Sequence, residues 1–234
     1  MKQEEFIELA GGVFKSNKNY NDWGSNDKYE NFWAFFESDY KYVKSVYSGI
    51  SIEVLRQKKL HSIEHIFPKS IVKKYLELKN QERTIVYGST TNPLNFVAEH
   101  RSINEHRGHL PFDIENDTAI RRNIRLETPT YYTDWGRDHE NEWVVPHVSR
   151  GNVARTMLYM FLVYNVQELF KEHLNSYIYW CKSDPPTQWE LEYNQWVFEK
   201  HKIKNPFVTD DITQLVNLLD DKELFNKLLV ENRL

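Results

Sequence analysis

Apolar positions along most of the chain recur at helical rather than strand spacing. EEFIELAGGVF (residues 4–14) and YENFWAFFESDYKYVKSVY (29–47) read as aromatic-rich helices, and IVKKYLEL (71–78) places its apolar residues on one helical face. GNVARTMLYMFLVYNVQELFKEHL (151–174) is apolar over much of its circumference, which predicts one long central helix. PTQWELEYNQWVFEKHK (186–202) predicts another, entered through Pro185 and Pro186 with Thr187 as its cap. In the tail, Ile212, Leu215, Leu218 and Leu219, then Leu224, Phe225, Leu228 and Leu229, fall at helical intervals and predict two short amphipathic helices. Strand signals are few. Residues 61–67 and 93–98 carry the strand patterns, SINEHRGHL (102–110) reads as the helix after the second, and RTIVYG (83–88) fits helix or strand. Many helices and a small sheet predict an α+β protein in which a ββα finger is embedded in a largely helical single domain.

Composition narrows the class. The 234 residues are 40% apolar and 15% aromatic, far too apolar for a disordered chain. No run approaches the roughly 20 apolar residues of a membrane span. MKQEEFIELAGGVFK is acidic where a secretory leader is basic, and Cys181 is the single cysteine. Together these predict a cytoplasmic location, or a secreted one if the sequence is a recloned mature form. Net charge is −4, against a uniformly basic surface. Yet LRQKKLHSIEHIFPKSIVKK (55–74) holds six basic residues and only Glu64 against them, so the local field there suits an anion.

Inside that basic stretch lies HSIEHIFPKS, with Glu64 and His65 adjacent. Neighbours on a strand point to opposite faces, so the two serve one site only if the chain leaves the strand there. Pro68 favours that exit, because it lacks a backbone donor and biases its predecessor toward extended geometry. The second informative stretch, NPLNFVAEHRSINEHRGHLPF (92–112), supplies Asn104 and Arg107. If its strand pairs with 61–67, the following helix carries Asn104 back over Glu64 and His65. Such an order suits phosphodiester hydrolysis. A neutral His65 can take a proton near neutral pH, and Glu64 with Asn104 can hold one hard cation. Arg107 can grip a phosphate through its planar fork, with Arg83 as a second candidate. His100, His106 and His109 offer a competing metal cluster or ordinary helix and loop residues. Arg150 and Arg155 read equally as phosphate contacts or as buried ion-pair partners.

These stretches, taken in order, resemble the bacterial endonuclease I family of the His-Me finger (ββα-metal) class. VYSG (46–49), EHIFP (64–68), LNFVAEHRSINEHRG (94–108), RGNVART (150–156) with LYM (158–160), and DPP with Glu190, Asn194 and KNPF (204–207) each match a family block, over roughly residues 45 to 207. The resemblance implies Glu64 and Asn104 as metal ligands, His65 as general base, and products with 5′-phosphate and 3′-hydroxyl ends. The chain departs from the family at several positions. Asn92 and Asn152 stand where Asp is usual, Val163, Tyr193 and Lys204 where Arg is, His201 where Gln is, and His109 where Asn is. None removes the base or the implied ligands, but several thin out charged positions.

The expectation is therefore a Mg²⁺-dependent endonuclease, with Mn²⁺ or Ca²⁺ also admissible in the site, acting on DNA in preference to RNA with low sequence specificity and with no membrane partner. The alternatives are a sequence-specific restriction or homing nuclease on the same finger, and a non-catalytic nucleic-acid-binding module. A nuclease domain over 1–207 and a helical extension over 208–234 complete the layout. The extension carries three basic against six acidic residues, a poor nucleic-acid contact. Its apolar face must cover the nuclease body, a second copy or a partner protein.

Overall fold

The computed structural model of the protein describes residues 27–37, 40–113, 136–138, 143–146, 148–221 and 223. The expected helix over 4–14 and, apart from Asp221 and Glu223, the second tail helix lie outside them. Helix α1 (Asp27–Glu37) buries Phe32, Phe35 and Phe36, whose rings meet Tyr193 at centroid distances of 6.0, 5.0 and 6.3 Å. The helix does not run on to Tyr47 as its aromatic pattern suggests. Residues 44–51 instead form a tight turn, with the Ser45 N–H donating to the Ile50 carbonyl (2.8 Å) and Gly49 at a φ of +66°. A buried carboxylate imposes that turn: Glu99 Oε2 accepts the backbone N–H groups of Tyr47 (2.7 Å) and Ser48 (3.3 Å). In a helix those donors would need carbonyls four residues back.

Helix α2 (Ile52–Gln57) leads into strand β1 (His61–His65), and after the turn at Pro68 come α3 (Lys69–Leu78) and α4 (Arg83–Thr91). The ambiguous RTIVYG segment is thus helical. Strand β2 (Phe96–His100) pairs antiparallel with β1, setting His61 opposite His100 and His65 opposite Phe96. The second strand starts later than the apolar pattern implies, because Pro93–Asn95 form a 3₁₀ turn in which the Asn92 side chain accepts the Leu94 N–H (3.0 Å). Helix α5 (Arg101–Arg107) follows β2 directly and completes a ββα unit. A second hairpin of β3 (Gly136–Asp138) and β4 (Trp143–Val145) had no signal in the hydrophobic pattern.

Helix α6 (Arg150–Tyr164) is buried on all sides, as its apolar circumference requires. It ends ten residues short of the expected 174. Asn165 adopts the left-handed conformation, its N–H donates to the Phe161 carbonyl, and 3₁₀ turns bridge to α7 (Leu174–Ser183). Asn is among the few non-glycine residues that tolerate this geometry, and the polar QELFKEH run beyond it has no continuous apolar face to keep a helix in the core. Helix α8 (Gln188–His201) starts after Thr187, whose side chain makes no capping bond. Helix α9 (Ile212–Asp220) packs Leu215 and Leu219 into the common core, and Lys182 of α7 pairs with Asp220. The first part of the tail therefore lies on the body of the protein. Among the described residues no helix is long and apolar enough to cross a membrane.

Arg155 answers the open question about its role. Its guanidinium is 1% exposed and bonds Glu190 through two 2.6 Å contacts and the Asp184 carbonyl through a third. Arg150 donates to the Pro146 carbonyl (2.7 Å) and stacks over Trp180. Both act within the fold. Gly151 lets the start of α6 approach this corner, and a Cβ there would lie 1.9 Å from the Asp184 carbonyl oxygen. Backbone atoms cannot swing aside as a side chain can. Gly151→Ala should therefore destabilise the protein by about 3 kcal/mol or more, at the upper end of overpacking costs, read as a lower urea midpoint in circular dichroism.

Candidate active site

The finger brings its expected residues into one cleft of about 420 Å³, lined by Glu64, His65 and Pro68 from the end of β1, Lys69, Ser70 and Lys73 from α3, and Asn104, Arg107 and Gly108 from α5. Strand β1 ends at His65, so Glu64 and His65 both reach this cleft despite being neighbours. Asn95 holds the turn that makes this so. Its side chain brackets Phe67, accepting the backbone N–H (2.7 Å) and donating to the carbonyl (2.9 Å).

Glu64 is 3% exposed, and its Oε1 accepts from the Tyr47 hydroxyl (3.0 Å) and from Arg107 (2.9 Å). Burial pushes its pKa up to about 7, because desolvation of the carboxylate outweighs the opposing pull of Arg107 and Tyr47. Burial likewise raises the Tyr47 phenol well above its ordinary value, so it stays a donor. His65 stands edge-on to Phe96 at 4.8 Å, and its Nε2 meets the Thr90 carbonyl at 3.2 Å. A carbonyl only accepts, so in the neutral ring Nε2 carries the hydrogen and Nδ1 the lone pair. Asn104 donates through Nδ2 to Ser62 Oγ (3.1 Å) and to the Ile63 carbonyl (3.2 Å). Its amide plane is thereby fixed, with Oδ1 as the atom able to act as a ligand.

Arg107 differs from its expected place as an open phosphate clamp. It is 1% exposed, lies 4.4 Å from the Phe112 ring, and donates to Glu64 and to the carbonyls of His65 (3.0 Å) and Ile66 (2.6 Å). Its two terminal nitrogens bond the finger itself. Arg83 lies on α4, along an adjoining cleft lined also by Lys69 and Lys73.

The three other histidines do not assemble. His100 caps α5 by accepting the Ser102 N–H, exposed His106 bonds the Ser102 carbonyl, and His109 lies exposed beyond the helix. Among the described residues no group of three or more His, Cys, Asp or Glu side chains could hold a metal. Sequence reasoning passed over Lys69, Ser70 and Lys73 as site residues, although the basic run pointed at them. Thr90 was invisible because its contribution is a backbone carbonyl.

An antiparallel pair followed by a helix, with Glu and His at the end of the first strand and Asn on the helix, is the construction of a His-Me finger. The endonuclease I family model matches residues 13–211, and the chain belongs to the endonuclease I family. The protein is accordingly a hydrolytic nuclease that acts on nucleic acid. A search of curated proteins finds no match.

The buried ion pair makes a sharp test. Arg107→Gln takes the cation from buried Glu64, and above pH 7, where that carboxyl is ionised, loss of one partner of such a pair costs up to about 3–5 kcal/mol. Chemical denaturation should register that loss without any nucleic acid present. A residue serving only as a phosphate clamp would leave the unfolding midpoint where it was.

Proposed function

We propose that the protein is a divalent-metal-dependent endonuclease that hydrolyses DNA phosphodiesters, with His65 as general base and Glu64 and Asn104 as the side chains that hold one Mg²⁺. What carries this reading is the convergence of those three side chains on a single cleft beside Lys69 and Lys73. The donor set suits the ion. Glu64 keeps lone-pair capacity beyond the two contacts on Oε1, Asn104 presents Oδ1, and both are hard oxygens of the kind Mg²⁺ takes while retaining several waters. Mn²⁺ suits the same donors. When bound, the cation supplies positive charge against the scissile phosphate and the departing 3′-oxygen.

The side chains do the remainder. His65 Nδ1 accepts a proton from the attacking water, and the Thr90 carbonyl steadies the imidazolium through Nε2–H. Lys69 and Lys73 attract and hold the phosphodiester. Arg107 acts as a positioning residue that orients Glu64 and ties α5 to the strand end.

A plasmid-nicking gel with Mg²⁺ and with EDTA tests the assignment, and a smear is expected where a site-specific enzyme would give discrete bands. His65→Ala should lower turnover by about 10²–10⁴-fold with DNA binding retained, as for loss of a positioned acid–base group. Wild-type turnover in that variant would sink the role given to His65.

Metal affinity should depend on pH through Glu64. Its pKa in the folded protein is raised to about 7, so below that value a cation must displace a proton. Mn²⁺ affinity measured by calorimetry should fall about tenfold per pH unit below 7 and level off above it. The same shift makes the metal-free fold gain stability as pH drops from about 7 toward the ordinary carboxylate range, where the unfolded chain also takes up the proton. Metal affinity flat from pH 5.5 to 8 would exclude Glu64 as the titrating ligand.

A further inference from the structure

We propose that the cleft between α3 and α4 is a nucleotide subsite, which takes an unpaired nucleotide of the strand being cut, its base stacked on Tyr87 and its phosphate held by Lys73 and Arg83. The proposal rests on the nuclease reading of the neighbouring cleft. The second cleft measures about 590 Å³, within the range of ligand-binding clefts. It adjoins the first, because Lys69 and Lys73 line both. Thr90 lines it too, and the carbonyl of that residue is the partner of His65 Nε2. A strand whose scissile phosphate lies at His65 therefore meets this cleft as its next surface.

The lining chemistry fits that occupant. Lys69, Lys73 and Arg83 face a single carboxylate, Glu77, which stands 3.8 Å from Lys73 Nζ in an exposed pair. So weak a pair is readily exchanged for a phosphate. Tyr87 is 40% exposed on a helix whose Val86 and Gly88–Thr91 are buried, so its ring is the aromatic surface that α4 gives to the cleft. A tyrosine face stacks on any base but only where the base is unstacked from its own neighbours. Asn80 and Gln81 supply amides able to meet base edges. Paired bases of an intact duplex cannot enter, so the subsite favours single-stranded, frayed or nicked substrate.

The test is fluorescence anisotropy with a fluorescein-labelled single-stranded oligonucleotide and its duplex, in EDTA, using the full chain. Tyr87→Ala should weaken single-strand binding about tenfold, as expected for loss of one base–aromatic stack, and should affect the duplex far less. Tyr87→Phe keeps the ring and should bind like wild type, while Arg83→Gln should weaken binding and flatten its salt dependence. Thermal melting checks that each variant folds. Unchanged single-strand affinity in Tyr87→Ala, or an equal loss on duplex, overturns the subsite. Cleavage assayed in parallel with Mn²⁺ keeps the two ideas apart. A protein that binds as described but cuts nothing refutes the nuclease mechanism and leaves the subsite standing.

Discussion

A cation buried at the centre of the finger fixes everything around it. Arg107 cannot leave its charge uncompensated at 1% exposure, so its guanidinium must find an anion and carbonyl oxygens inside the protein. It finds Glu64 and the carbonyls of His65 and Ile66, all at the point where β1 ends. The helix that carries Arg107 also carries Asn104, one turn earlier. One ion pair thus sets the distance between the strand end and the helix, and with it the relation of Glu64, His65 and Asn104. On the same face of the sheet Glu99 does similar work. It gathers the backbone of Tyr47 and Ser48 and the Ser48 hydroxyl, and the turn so made delivers the Tyr47 hydroxyl to Glu64. The raised pKa of Glu64 follows from this construction, since a carboxylate packed for rigidity has lost most of its water.

What the sequence disclosed and what it hid separate along physical lines. The finger was legible because two short strands, a proline exit and a following helix are local signals, and because Glu64, His65 and Asn104 lie in stretches with ordered matches to one family. A Glu–His pair alone would have misled. The chain holds further pairs at 99–100, 105–106 and 172–173, and Glu99, buried and fully bonded, is structural. Arg107 reads as outward-facing because a sequence shows an arginine near a site but not which way its donors face. The helix end at Asn165 and the turn at 44–51 were missed for a related reason. Each depends on partners distant in the chain or on a backbone conformation that several residue types could adopt. The hairpin β3–β4 is too short for a periodicity of two to register.

The family departures also resolve into local physics. Tyr193, where Arg is usual, is buried against the α1 aromatics and donates to the Pro93 carbonyl, so it supports the turn before β2 from within. Val163 is wholly buried on α6, where a cation would need a partner. Asn92, where Asp is usual, donates its amide to the Tyr159 and Tyr164 hydroxyls; a carboxylate would instead have to accept from them. These exchanges alter the packing behind the finger and leave its cleft untouched. Net charge of −4 likewise says little about the cleft face. Acidic residues dominate the first forty positions and the tail, whereas the wall built by α3 and the start of α4 offers Lys69, Lys73 and Arg83. Over the roughly 10 Å reach of a screened charge, an approaching phosphate senses that wall and not the sum over the chain.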